Sequence, residues 1–107
     1  MYIRNQAFKD EETLLELLFD FSLGDPSEII IGELKVIEKE LAENEAYTQY
    51  FNSLTDEDDR IELQEEETSI RLAEKLMQLF DAFEVKDSKL YGVKQGQKEL
   101  LYAMYLY

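Results

Sequence analysis

Apolar residues along the chain recur mainly at three- and four-residue spacings, the period of helices packed against a core. Between Glu11 and Phe21, the residues Leu14, Leu15, Leu17, Leu18, Phe19 and Phe21 leave only a narrow polar line of Glu12, Glu16 and Asp20. A helix apolar around so much of its circumference belongs at the centre of a core. Asp10 is placed to cap it, and Glu11 and Glu12 fill the first turn, where the positive end of the helix dipole favours carboxylates. A second stripe, Ile30, Leu34, Ile37 and Leu41, lies opposite Glu33, Glu38, Lys39 and Glu40. The junction Leu23-Gly24-Asp25-Pro26-Ser27-Glu28 predicts Gly24 as the left-handed residue that closes the first helix. Asp25 then caps the second helix, Pro26 is its first residue, and Glu28 is the capping-box partner.

After Leu41 the phase slips to Tyr47, Tyr50, Phe51 and Leu54, which predicts a break at Asn44. Thr55, with Asp58 three residues on, predicts a further N-cap. The last strong helical stripe is Ile70, Ala73, Met77 and Phe80, with Leu76 and Phe83 beside it and Arg71, Glu74, Gln78 and Asp81 facing away. One long helix starting near Asp56 accounts for it best. Residues 86–98, with Gly92 and Gly96, read as a loop or turn region, and the uncharged octet Leu100–Tyr107 as a closing apolar helix. The predicted fold is therefore all-α, a compact bundle of four or five helices in one acidic domain spanning 1–107. A short β-hairpin joining 60–64 to 90–93 is the alternative, because Ile61 and Leu63 alternate with Arg60, Glu62 and Gln64.

Charge changes the picture more than composition does. The 107 residues hold 25 acids and 11 bases with no histidine, a net charge of −14. Such a field repels nucleic acid and anionic membranes and attracts cationic surfaces. Seven tyrosines and six phenylalanines make the chain too aromatic for an acidic disordered tail. No cysteine is present, which removes disulfides and thiolate metal sites and suits a reducing compartment. With no apolar stretch of signal-peptide type at Met1–Gln6, the expected location is cytoplasmic.

Half of the net charge sits in twelve residues. Asp56, Glu57, Asp58, Asp59, Glu62, Glu65, Glu66 and Glu67 stand against Arg60 alone, a local charge of −7. Read as a calcium loop, the stretch puts Asp56, Asp58 and Glu67 at positions one, three and twelve, but Arg60 takes a ligand position and Ile61 the obligatory glycine. That excludes an EF-hand. Glu62-x-x-Glu65 followed by Glu84-x-x-Asp87 resembles, at those four positions, the ExxE and ExxD motifs of all-α nucleotide pyrophosphohydrolases. The resemblance implies Glu62, Glu65, Glu84 and Asp87 as Mg²⁺ ligands on facing helices. Nucleophilic catalysis lacks its usual parts, since there is no histidine, no cysteine and no glycine-rich phosphate loop.

Binding is the better fit. As a helix, Asp56–Glu67 spans roughly 18 Å at ~1.5 Å per residue. Eight charges over that length is about one per 2.3 Å, against about one per 1.7 Å of duplex DNA axis. The expected function is a non-enzymatic, cofactor-free acidic protein that occludes the cationic, nucleic-acid-binding surface of a partner protein, without itself binding nucleic acid or membrane. In size and charge the chain resembles small phage-encoded inhibitors of nucleases, restriction enzymes and CRISPR effectors. Alternatives are an immunity protein or antitoxin against a basic toxin, the Mg²⁺-dependent hydrolase, and an acidic subunit of a larger assembly. Lys86, Lys89, Lys94 and Lys98 are expected to fold back on the acidic stretch, or to reach a neighbour's stretch and form a homodimer. Tyr102, Met104, Tyr105 and Tyr107 are expected to dock in the core or to form a second interface.

Overall fold

In the computed structural model, which describes residues 3–104, Asp10 caps the first helix. Its Oδ2 accepts hydrogen bonds from the Thr13 hydroxyl at 2.6 Å and the Thr13 amide at 2.8 Å. These two bonds, the hydroxyl's first, hold the Asp10 carboxyl below its ordinary value. Their contribution is present above the unfolded aspartate's pKa and is lost as pH falls through the folded one. Helix α1 (Glu11–Phe21) follows, and its Leu14, Leu17, Leu18 and Phe21 are all buried. Helix α2 (Glu28–Glu43) buries Ile30, Ile37 and Leu41. Asn44 ends α2 and also caps α3 (Glu45–Ser53), its Oδ1 accepting from the Tyr47 amide at 2.9 Å. Helix α4 runs without interruption over Glu57–Leu79 and is capped by Asp56, one residue after Thr55.

The rest of the fold is not helical. Strand β1 (Gln6–Phe8) precedes α1, β2 (Asp25–Pro26) lies between α1 and α2, and β3 (Ala82–Lys86), β4 (Lys89–Lys94) and β5 (Gln97–Ala103) follow α4. They form one antiparallel sheet in the order β1-β3-β4-β5-β2. The architecture is α+β and overturns the all-α bundle. The 60–64/90–93 hairpin is overturned too, since 60–64 lies inside α4 while 90–93 pairs with both β3 and β5.

Two tight turns build the meander. Asp87 and Ser88 have φ of 52° and 61°, and Gln95 and Gly96 have φ of 53° and 78°. Positive φ at both central residues is the primed turn whose twist matches a two-residue hairpin. The segment 86–98 therefore pairs strands instead of looping, and Leu100 to Ala103 continues as strand, not helix. A bulge opposite Leu90 and Tyr91 breaks the alternation of β5, so Leu101, Tyr102 and Ala103 are buried in succession.

The junction after α1 also differs from the expectation. Ser22 is the C-cap of α1, and Gly24 does not take the left-handed conformation. A Cβ on Gly24 would lie 2.6 Å from the Ala103 carbonyl and 2.7 Å from Met104 Sδ, so glycine is needed for close approach to β5. Pro26 sits on an edge strand, where its missing N–H costs nothing, and Ser27 is the residue before α2.

Register places Phe8, Phe83 and Gly92 in one row across the sheet, and Val85, Leu90 and Tyr102 in another. These rows meet the buried residues of α1, α2 and α4 in one core. The intervening rows, Ala7-Glu84-Tyr91-Leu100 and Ala82-Val93-Lys98, lie on the other side of the sheet and are half-buried or exposed. The result is a two-layer molecule with helices on one face. Among the described residues, no helix is long and apolar enough to cross a membrane.

Candidate functional site

Six residues of α4 lie on one line of the helix at alternating four- and three-residue steps: Asp58, Glu62, Glu65, Ser69, Leu72 and Leu76. The line enters the core at Leu72 and Leu76, which are 2% and 0% exposed. Above Ser69 it carries carboxylates, all of them exposed. No residue of α4 before Leu72 is buried. The first three turns of α4 thus extend beyond the core and present acids on the edge that, further down, holds the helix to the protein.

Local physics permits this. Asp56 caps the helix by accepting from the Asp58 amide at 2.9 Å, and Glu57, Asp58 and Asp59 sit at the positive end of the helix dipole. Glu62 and Glu66 have no such compensation and extend a like-charged series from Asp58 at spacing four. The one cation in the stretch is directed elsewhere. Arg60 Nε donates to the Leu54 carbonyl at 2.9 Å, and its guanidinium lies 5.5 Å from the centre of the Phe51 ring. Arg60 fastens α3 to α4 and neutralises none of its acidic neighbours.

Other bases are engaged mainly away from the stretch. Lys75 Nζ lies 2.8 Å from Glu40 Oε1, a close ion pair without hydrogen-bond geometry, and Arg71 lies 3.9 Å from Glu40 and 3.9 Å from Glu67. Among the described residues, the Arg71 contact with Glu67 is the sole ion pair of the eight carboxylates. The lysines of 86–98 do not fold back on them. Lys86, Lys89 and Lys98 belong to rows on the far side of the sheet, Lys94 sits at the second turn, and Lys98 Nζ pairs with Glu84 at 2.7 Å. The reason is topological, since the helix-facing rows are filled by Phe83, Val85, Leu90 and Tyr102.

The four proposed magnesium ligands are not brought together. Glu62 and Glu65 are on α4, while Glu84 is in β3 and Asp87 in the turn after it, so the facing helices that the resemblance requires are missing. No group of three or more carboxylates able to hold a metal exists among the described residues. Of the aromatic run, Tyr102 is 6% exposed with its ring 6.2 Å from that of Phe21, and burial pushes its hydroxyl pKa up. Met104 is half-buried, and Tyr105 and Tyr107 lie outside the described residues.

Two clefts flank the acidic half of α4, and neither follows from the hydrophobic pattern of the chain. One, of about 400 Å³, lies between α2, α3 and α4 and includes Leu34, Leu41, Tyr47, Phe51 and Thr68. Burial, and secondarily the charge of Glu67, raises the Tyr47 pKa there. The other, of about 450 Å³, lies where the end of α1 meets α2 and α4, and its walls include Phe19, Leu23, Ile61, Glu65 and Leu72. Phe19, Leu23 and Ile61 are 42%, 84% and 47% exposed, large apolar surfaces left open together. The available signal was Ile61, one of two apolar residues inside the acidic run and three residues before Gln64 on the same wall.

No protein-family model matches the chain, and no curated protein and no solved structure matches it either.

Proposed function

We propose that this protein is a non-catalytic acidic binder whose α4 overhang occupies a cationic surface on a partner protein, such as the nucleic-acid-binding surface of a nuclease or other nucleic-acid enzyme. One observation carries the reading. Eight carboxylates project from a helical half with no fully buried residue, and their only ion pair among the described residues is the 3.9 Å contact of Glu67 with Arg71. Like charges at spacings of three and four destabilise their own helix by a few tenths of a kcal/mol per pair, ~0.2–0.5. A cationic partner surface would relieve that repulsion and gain from the exposed charge. Inhibition of a nuclease, restriction enzyme or CRISPR effector, or neutralisation of a basic toxin, are uses of this same surface.

The test is affinity capture from a bacterial lysate with the wild-type chain and with the combined Asp58→Lys, Asp59→Lys, Glu62→Lys and Glu65→Lys variant. A captured protein should dissociate steeply with added salt, be displaced by duplex DNA, and be absent from the variant's eluate. Equal retention by the two chains would overturn the reading.

A further inference from the structure

We infer that the cleft between the end of α1 and the acidic half of α4 seats the apolar face of a basic amphipathic helix on the partner. The inference rests on the acidic-binder reading and specifies the kind of surface it recognises. A purely phosphate-like edge would need only charge. Here the charge borders an apolar depression of about 450 Å³, within the size range of specific binding pockets.

Leu23, at 84% exposed, and Phe19, at 42%, form one wall, and Ile61, at 47%, belongs to the other. Leaving three large apolar side chains in water around one depression forgoes burial that a partner can supply. The rim selects the partner's charge. Glu65 lines the cleft itself, Glu62 and Asp58 continue its line outward along α4, and Glu16 and Asp20 lie on α1 beside Phe19. None of the lining residues is basic. The complementary ligand presents apolar side chains at i, i+3, i+4 and i+7 of a helix with Lys and Arg along its flanks. A flat cationic sheet or loop would meet the carboxylates and leave the depression empty.

The experiment uses the full chain and fluorescence anisotropy with a labelled synthetic peptide, leucines at i, i+3, i+4 and i+7 and lysines elsewhere. The control is a peptide of equal composition scrambled to remove the apolar face. The amphipathic peptide should bind at least about tenfold more tightly than the scrambled one, a difference of one decade in Kd. Leu23→Ser and Phe19→Ser, both at exposed positions, should each weaken it about fivefold or more without changing the slope of log affinity on log salt. The Glu62→Lys and Glu65→Lys pair should flatten that slope.

Equal binding of the two peptides, indifferent to Leu23→Ser but abolished by the charge reversal, would overturn the cleft and leave the acidic-binder reading standing. Peptide affinity insensitive both to salt and to the reversal would count against that reading as well. A concentration-dependent dimer in sedimentation, dispersed by Leu23→Ser, would assign the cleft to a second copy of the chain and overturn the inference.

Discussion

The two halves of α4 share one backbone and one helical line, yet they meet opposite surroundings. From Ser69 to Leu79 the line carries Leu72 and Leu76 into the core, and Arg71 and Lys75 hold α2 through Glu40. From Glu57 to Thr68 it carries Asp58, Glu62 and Glu65 into solvent, supported from the side by α3 through Arg60. The lesson is that the lower half anchors the upper, so the upper half can spend its sequence on charge. Stability and surface chemistry are separated along one element.

The contrast can be broken most directly by truncation. Leu76→Ala should cost about 2–5 kcal/mol in urea unfolding, whereas Ile61→Ala should stay within about 0.5 kcal/mol. Comparable costs at the two positions would erase the distinction. The anchor's foot gives the next largest effect. Phe80, just past α4, lies over β4 so closely that a Cβ at Gly92 would be 2.6 Å from its ring. Gly92→Ala should cost about 1–3 kcal/mol, and the penalty should shrink in a Phe80→Leu background.

Arg60→Ala should cost about 1 kcal/mol by removing one hydrogen bond and one cation–π contact. Amide exchange should show faster opening in α3 and in the first turns of α4, with Leu72 to Leu76 unchanged. Smallest, and opposite in sign, is Glu62→Gln. It relieves like-charge contacts with Asp58 and Glu66 and should raise stability by a few tenths of a kcal/mol, ~0.2–0.5 per pair. The gain should vanish in high salt, and a loss of stability at low salt would show that these carboxylates do not repel one another.

The helices were legible because their signals are local. The Asp10 cap, the Asn44 break and the stripes of α1 and α2 are each written within a few residues. The α4 stripe, by contrast, is out of phase, since Ile70 is 40% exposed and Leu72, off the expected line, is buried beside Ala73 and Leu76. The sheet was not legible, for identifiable reasons. Asp87-Ser88 and Gln95-Gly96 turn tightly without the Asn-Gly or Asp-Gly pair that usually marks such turns. The bulge in β5 buries three consecutive residues and destroys the alternation that would have separated strand from helix. Asp25-Pro26 resembled the start of a helix because its pairing with Ala103 and Tyr102 lies far away in sequence. The acidic edge was visible as composition. That Arg60 turns to α3, and Lys86, Lys89 and Lys98 to the far side of the sheet, could be known only once the sheet existed.

The strand order has a kinetic consequence. Both edges of the sheet come from early segments that clasp a later meander, Gln6 against Val85 and Asp25 against Ala103. Each clasp closes a loop of more than seventy residues, an entropic cost met only when distant segments collide. The helices can flicker into shape within microseconds, but the sheet's completion sets the pace, and such non-local pairing places refolding toward the slow end for a chain this short. A stopped-flow trace should show helical signal rising ahead of the burial of Tyr102.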